Sequence, residues 1–264
     1  MARNIVDILR KGNQELFHSA MISWLLDPEA EHGYGGSFLE GLAERLTDKG
    51  TTELKGALTD AGLVSVTPET TSRNNRYDIL LGFGPRKFVF ENKTKSVGEL
   101  SQLERYEKDE NVELAVALGL CEASFVEDLG FPLITYRDIL SILNGLPSRH
   151  SDFGVLVRHY QDYLERELEL LDLIIECYAQ GHGELRGQIL ESIETGPYTA
   201  NDRRFLSLFL LESFRRSCLK DGPRWGGSAW ETNKNDRSGV WMASRNGLPD
   251  AYEFATSLRG CVRR

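Results

Sequence analysis

Two carboxylates and an ammonium interrupt apolar runs near the middle of the chain. The runs are Arg76-Tyr77-Asp78-Ile79-Leu80-Leu81 and Phe88-Val89-Phe90-Glu91-Asn92-Lys93. A charge buried in such a run is costly unless another group pairs it. Strand alternation puts Val89, Glu91 and Lys93 on one face and Phe88, Phe90 and Asn92 on the other. If the two runs pair as a hairpin, Asp78 comes beside Glu91 and Lys93 at the strand ends. Two carboxylates and one ammonium so placed suit a hard divalent cation with oxygen ligands and a positive charge beside it. A cross-strand ion pair on a half-exposed sheet is the simpler account of the same trio. Glu-x-Lys alone decides nothing, because Glu53-Leu54-Lys55 also matches, in no apolar strand and with no hairpin Asp before it.

Such residues need surrounding elements to hold them. The segment Gly82, Phe83, Gly84, Pro85 reads as the turn between strands over 76–81 and 87–93, and a further strand is expected over 63–67. A helix over 97–108, a buried strand over 112–118, a short strand over 133–135 and a helix over 136–143 follow. Upstream, Leu16, Phe17, Ala20, Met21, Trp24 and Leu25 recur at steps of three and four, which predicts a helix over 13–26 with Asn13 as its N-cap. Asp27-Pro28 ends it, and a second helix is expected over 38–46. This order predicts a mixed α/β sandwich. After Pro147 the pattern turns helical, over about 155–179 and 202–219, and the stripe Tyr160, Tyr163, Leu164, Leu168, Leu171 and Ile175 reads as core. Trp225, Trp230 and Trp241 lie among glycines in the last segment, where 231–242 is a candidate hairpin.

Further motifs flank the acids. Asp78 precedes Glu91-x-Lys93 by thirteen positions, and the next helix carries Gln102-Leu103-x-x-Tyr106. The first helix carries Glu15 ahead of His18-Ser19, followed by Trp24-Leu25-Leu26-Asp27-Pro28 and His32-Gly33. Together these resemble the PD-(D/E)XK nuclease superfamily, in particular a bacterial restriction-endonuclease-like group. The resemblance is close over 13–106 and looser over the rest of the sheet; Tyr77 stands where the superfamily carries Pro before its acid. It implies a restriction-endonuclease-like α/β fold, with a mixed sheet flanked by helices over 1–147. A mainly helical part over 148–264 would follow, its basic Trp/Gly-rich tail a candidate for substrate binding or oligomerisation.

The same resemblance implies that Asp78, Glu91 and the backbone carbonyl of Asn92 bind Mg²⁺ or Mn²⁺. Lys93 would orient a water or stabilise developing negative charge, with Glu15 and Gln102 as further catalytic residues. The implied reaction is in-line hydrolysis of a phosphodiester to 5′-phosphate and 3′-hydroxyl ends. Arg73, Arg76, Lys95 and Tyr106 are expected to meet nucleic acid, and His18 and His32 to be structural hydrogen-bonders. DNA rather than RNA as substrate, and defence against phage as the role, follow from family analogy. A homodimer and defence-system partner proteins are expected partners, and no Walker A sequence is present to drive translocation.

Composition sets outer limits. With 264 residues, 41% hydrophobic and 27% charged, the chain has globular proportions. No apolar stretch approaches the roughly 20 residues of a bilayer span. Charges interleave with the first apolar residues, so a cytoplasmic protein is expected. Cys121, Cys177, Cys218 and Cys261 are far apart and read as reduced thiols. The net charge of −9 argues against nucleic acid only as an average. Over 71–95 there are six basic residues against two acids, and over 203–264 twelve against six. Those two regions are expected to meet phosphate, with steep salt dependence. Two other classes compete: a nucleic-acid-binding module that keeps the fold without activity, and a protein-interaction platform on the long helices. The first should have lost an acid or the lysine, and this chain has all three.

Overall fold

The computed structural model describes residues 4–60, 62, 65–72, 75–98, 100–125, 130–149, 151–179 and 184–220. The expected hairpin over 231–242 and the three tail tryptophans lie outside them. At the centre is a mixed five-stranded sheet in the order β1 (Ser65–Ser72), β2 (Asn75–Phe83), β3 (Arg86–Lys93), β4 (Val112–Gly119) and β5 (Leu133–Thr135). The first three strands are antiparallel and the last three parallel. Gly84, at φ 63°, opens the two-residue turn between β2 and β3, a conformation in which a side chain is strained. The parallel step from β3 to β4 needs a crossover, which α5 (Leu100–Glu107) supplies.

The middle strand, β3, is covered on both faces. Phe88, Val89 and Phe90 are therefore all buried, and alternation separates two packed layers instead of inside from outside. Val89 clusters with Tyr77, Leu103, Tyr106, Ala115, Ala117 and Phe125 on the α5 side. The other face meets α2 (Glu15–Leu26), which packs over β1, β2 and β3. This helix starts behind Gln14, which makes no side-chain cap, so Asn13 is not the N-cap that its residue type suggested. Its inward face is partly polar: His18, Ser19 and Ser23 are buried, whereas Leu16 is 51% exposed.

The remaining elements frame the sheet. Three helices lie before it: α1 (Ile5–Leu9), which Asn4 caps; α3 (Ser37–Asp48); and α4 (Glu53–Asp60). The Glu53-Leu54-Lys55 match lies on α4 with both charges exposed, so it is surface helix and no site. After β5, α6 (Tyr136–Gly145) begins at a capping box, in which Thr135 and Asp138 satisfy each other's backbone N–H.

The chain divides into two compact units. One comprises the described residues through Thr94 and from Gly98 to Glu165. The other comprises Lys95–Val97 and the described residues from Arg166 onward. The helix α7 (Asp152–Ala179) contributes to both, and α8 (Glu184–Thr195) and α9 (Ala200–Lys220) complete the mainly helical C-terminal part. The expected stripe on α7 is buried from Tyr160 to Leu171, but Ile175 is exposed and Ile174 and Cys177 turn inward in its place. Among the described residues, no helix is long and apolar enough to cross a membrane.

Candidate active site

The β2–β3 ladder ends at the pair Ile79 and Phe90. Asp78 and Glu91 stand one position further on, where the strands part. There the N–H of Asn92 donates to a side chain, Asp78 Oδ2, at 2.8 Å. The buried Glu91 carboxylate is held at both ends, with Lys93 Nζ 2.5 Å from Oε1 and the Tyr106 hydroxyl 2.7 Å from Oε2. The Tyr106 hydroxyl also lies 2.6 Å from the Arg76 carbonyl, so its one proton is shared between two acceptors. These groups open on a pocket of about 470 Å³. Its lining brings together Glu15, Asp78, Glu91, Lys93, Gln102, Tyr106 and Arg76 of the expected residues, and adds Leu16, Glu69 and Arg105.

Burial, then the charge of Glu91, pushes the Asp78 carboxyl up to about 6. For Lys93, burial alone would favour the neutral amine, but Glu91, Glu15 and Asp78 outweigh it and raise its affinity for the proton. Burial and the Glu91 charge likewise hold the Tyr106 phenol in its protonated, donating form. Two crowded carboxylates that repel each other form a donor set whose repulsion a hard divalent cation would relieve. Each oxygen that accepts a hydrogen bond still has a second lone pair for a ligand bond. The residues present therefore fit such an ion. Asp78 and Glu91 are the pair in question: among the described residues, no group of three or more His, Cys, Asp or Glu side chains is arranged to hold a metal.

The expected nucleic-acid contacts divide. Arg76 lines the pocket with its side chain 64% exposed, and its guanidinium pairs with Glu69 at 2.6 Å. Arg73 lies outside the described residues. Lys95 does not face a pocket: within the second unit its ammonium sits 2.6 Å from Glu167 and 3.4 Å from Asp202, at 5% exposure. A cation enclosed by two carboxylates is not available to a phosphate, and Lys95 leaves the set. Tyr106 is buried beneath Glu91 and cannot stack on a base. Its hydroxyl instead donates toward the Glu91 carboxylate. The local excess of positive charge over 71–95 is correspondingly reduced, since Arg76, Arg86, Lys93 and Lys95 each have an acidic partner.

Arg105 lines the pocket and was not among the expected residues, although its position three residues after Gln102 marks the same helix face. It makes a hydrogen bond from Nε to Ser101 O at 3.2 Å. Glu69 was also missed. The pairs Pro68 with Ile79 and Thr70 with Tyr77 bracket it opposite Asp78, and its φ of 46° is strained for a side-chain-bearing residue. His32 is buried, with Nδ1 accepting from Tyr34 N–H and Nε2 on the Asp27 carbonyl. His18 is buried between Gly12 O and the Tyr160 hydroxyl. Neither lines the pocket.

No curated protein and no solved structure matches the chain. A family-level profile of the PD-(D/E)XK nuclease superfamily does, over residues 3–152. That span is more than half of the 264 residues and contains the whole sheet and every residue lining the pocket. Given a match of that extent and a mixed sheet whose parted central strands carry the two acids and the lysine, the chain belongs to the PD-(D/E)XK nuclease superfamily.

Proposed function

We propose that the protein is a divalent-cation-dependent nuclease that cleaves DNA in preference to RNA and acts in defence against phage. The observation that carries the nuclease reading is a complete set of two acids and a lysine around one pocket, with Lys93 Nζ 2.5 Å from Glu91. Burial and then the neighbouring Glu91 oppose the ionisation of Asp78, a perturbation of the kind that clusters at active sites. The preference for DNA and the role in defence rest on analogy within the superfamily.

Asp78, Glu91 and the Asn92 carbonyl would hold Mg²⁺ or Mn²⁺, which when bound polarises a phosphate and acidifies a coordinated water. The protein's own residues do the rest. Tyr106 fixes the Glu91 carboxylate from below through its hydrogen bond. Lys93, kept as an ammonium by the surrounding acids, faces the negative charge that develops on the phosphoryl oxygens. Gln102 presents an amide from the pocket wall, and Arg76 and Arg105 present guanidinium groups that suit backbone phosphates. Arg76 must exchange Glu69 for that phosphate.

The test is cleavage of supercoiled plasmid. Purified protein with Mg²⁺ or Mn²⁺ nicks or linearises it and EDTA stops the reaction. Lys93→Ala and Glu91→Gln each lose about 10²-fold or more in rate while keeping the wild-type circular dichroism. Parallel assays on RNA measure the preference. Cleavage that survives both substitutions removes this pocket as the active site. No cleavage with any metal, together with tight DNA binding, favours the non-catalytic module.

A further inference from the structure

Asn92 stands between Glu91 and Lys93 but points to the opposite face of β3, where it is completely buried. An amide in that position is costly unless its polar atoms are matched. Here both ends are. Nδ2 donates to Ser19 Oγ at 3.0 Å and lies 3.4 Å from the Glu15 carbonyl, while Oδ1 accepts from the Tyr136 hydroxyl at 2.9 Å. The same residue's main-chain N–H holds Asp78. One residue therefore ties together every acid expected at the site: its main chain holds Asp78 through the N–H and Glu91 through the peptide bond, and its side chain reaches the first turn of α2, which carries Glu15. Lys93 follows as the next residue.

Tyr136 is itself fixed. It is the first residue of α6, directly behind the Thr135–Asp138 capping box, and is fully buried. Its ring meets His18 edge-on at 5.5 Å, and His18 is anchored at 3.1 Å to the Gly12 carbonyl and at 3.0 Å to the Tyr160 hydroxyl. Tyr136 does not line the pocket; its hydroxyl reaches the site through Asn92, while its ring packs on His18 of α2.

We propose that the Asn92 side chain and the Tyr136 hydroxyl are positioning residues, which hold the Glu91–Lys93 strand end and Glu15 at the spacing that sets affinity for the divalent cation. This rests on the nuclease reading above. Groups one layer behind a ligand orient it, and their loss costs metal affinity even where the ligands themselves are intact.

The experiment uses two single-group deletions in the full chain. Tyr136→Phe keeps the ring and removes one donor; Ser19→Ala removes the acceptor at the other end of the amide. Mn²⁺ binding is titrated by the paramagnetic resonance of the free ion, alongside the melting temperature without metal and cleavage as a function of Mn²⁺ concentration. Tyr136→Phe is expected to bind Mn²⁺ about tenfold more weakly, Ser19→Ala to move in the same direction, and cleavage by both to recover at saturating Mn²⁺. A merely structural role lowers the melting temperature and leaves Mn²⁺ affinity within roughly twofold of wild type, and that result overturns the proposal. Wild-type protein that binds no Mn²⁺, or binds it equally after Glu91→Gln, removes the nuclease reading and this inference together. Binding that depends on Glu91 but not on Tyr136 or Ser19 removes this inference alone.

Discussion

Asp78 is held in an environment that favours its protonated form. Burial and the neighbouring Glu91 raise its carboxyl to about 6, against an ordinary value of 3.8. An acid that binds its proton more tightly folded than unfolded has its most favourable effect on stability below about pH 4. That effect declines as pH rises toward 6, and above 6 the full penalty applies. Asp78→Asn removes the charge while its amide oxygen can still accept the Asn92 N–H. In EDTA at pH 7.5 this variant is therefore expected to be more stable than wild type, by on the order of 1–2 kcal/mol after allowance for partial exposure. At pH 4 the difference should vanish, and cleavage should be lost at every pH. Urea unfolding at the two pH values checks it; equal stability at pH 7.5 would mean that Asp78 is not under this strain. Period-two alternation in β3 was enough to place Glu91 and Lys93 together and Asn92 opposite them. It could not say that a buried phenol would hold Glu91 or a buried amide Asp78, because alternation assigns a face and not the helix packed on it.

Elements were legible where one physical signal dominated. The β2–β3 hairpin announces itself by apolar runs around Gly84-Pro85, and β4 by an uninterrupted buried run. The short α1 and the helices α4 and α8 were not anticipated, since short or weakly amphipathic helices have little periodicity to read. In α2 the inward side carries His18, Ser19 and Ser23, so the sequence pattern assigned outward residues such as Leu16 to the core. Lys95 shows the same limit. Its charge suggests surface, yet within the helical unit it joins Glu167 on α7 to Asp202 on α9. Burial raises the Glu167 carboxyl, and the Lys95 ammonium opposes that rise. Removing the cation leaves that carboxylate without its buried partner. Lys95→Ala is expected to destabilise the protein by about 3–5 kcal/mol, and adding Glu167→Gln should recover part of the loss. A double-mutant cycle by denaturant unfolding measures the coupling, and additive losses would show that the pair carries none.

For the whole molecule, the net charge of −9 leaves open where a polyanion docks, and the ion pairs narrow the choice. Of the arginines that line the pocket, Arg76 is paired with Glu69, and Arg105 bonds to a backbone carbonyl. A guanidinium already held by an acid must give up that contact before it meets phosphate, so under the proposed function Glu69 would oppose DNA at this pocket and Arg105 would favour it. Each backbone phosphate that a protein neutralises on duplex DNA contributes about −0.9 to the slope of log K against log salt. In a Lys93→Ala background without metal, which prevents cleavage, Arg105→Ala should weaken binding of a duplex oligonucleotide and flatten the slope by about 0.9. Glu69→Gln should tighten binding by about 0.5–1 kcal/mol through release of Arg76. Combining it with Arg76→Ala should abolish that gain, which separates freed guanidinium from a general loss of negative charge. Fluorescence anisotropy between about 50 and 200 mM salt reads all three. An unchanged slope in Arg105→Ala would move the phosphate path away from this pocket and toward the basic residues over 203–264, whose twelve Lys and Arg against six acids are the other concentration of positive charge in the chain.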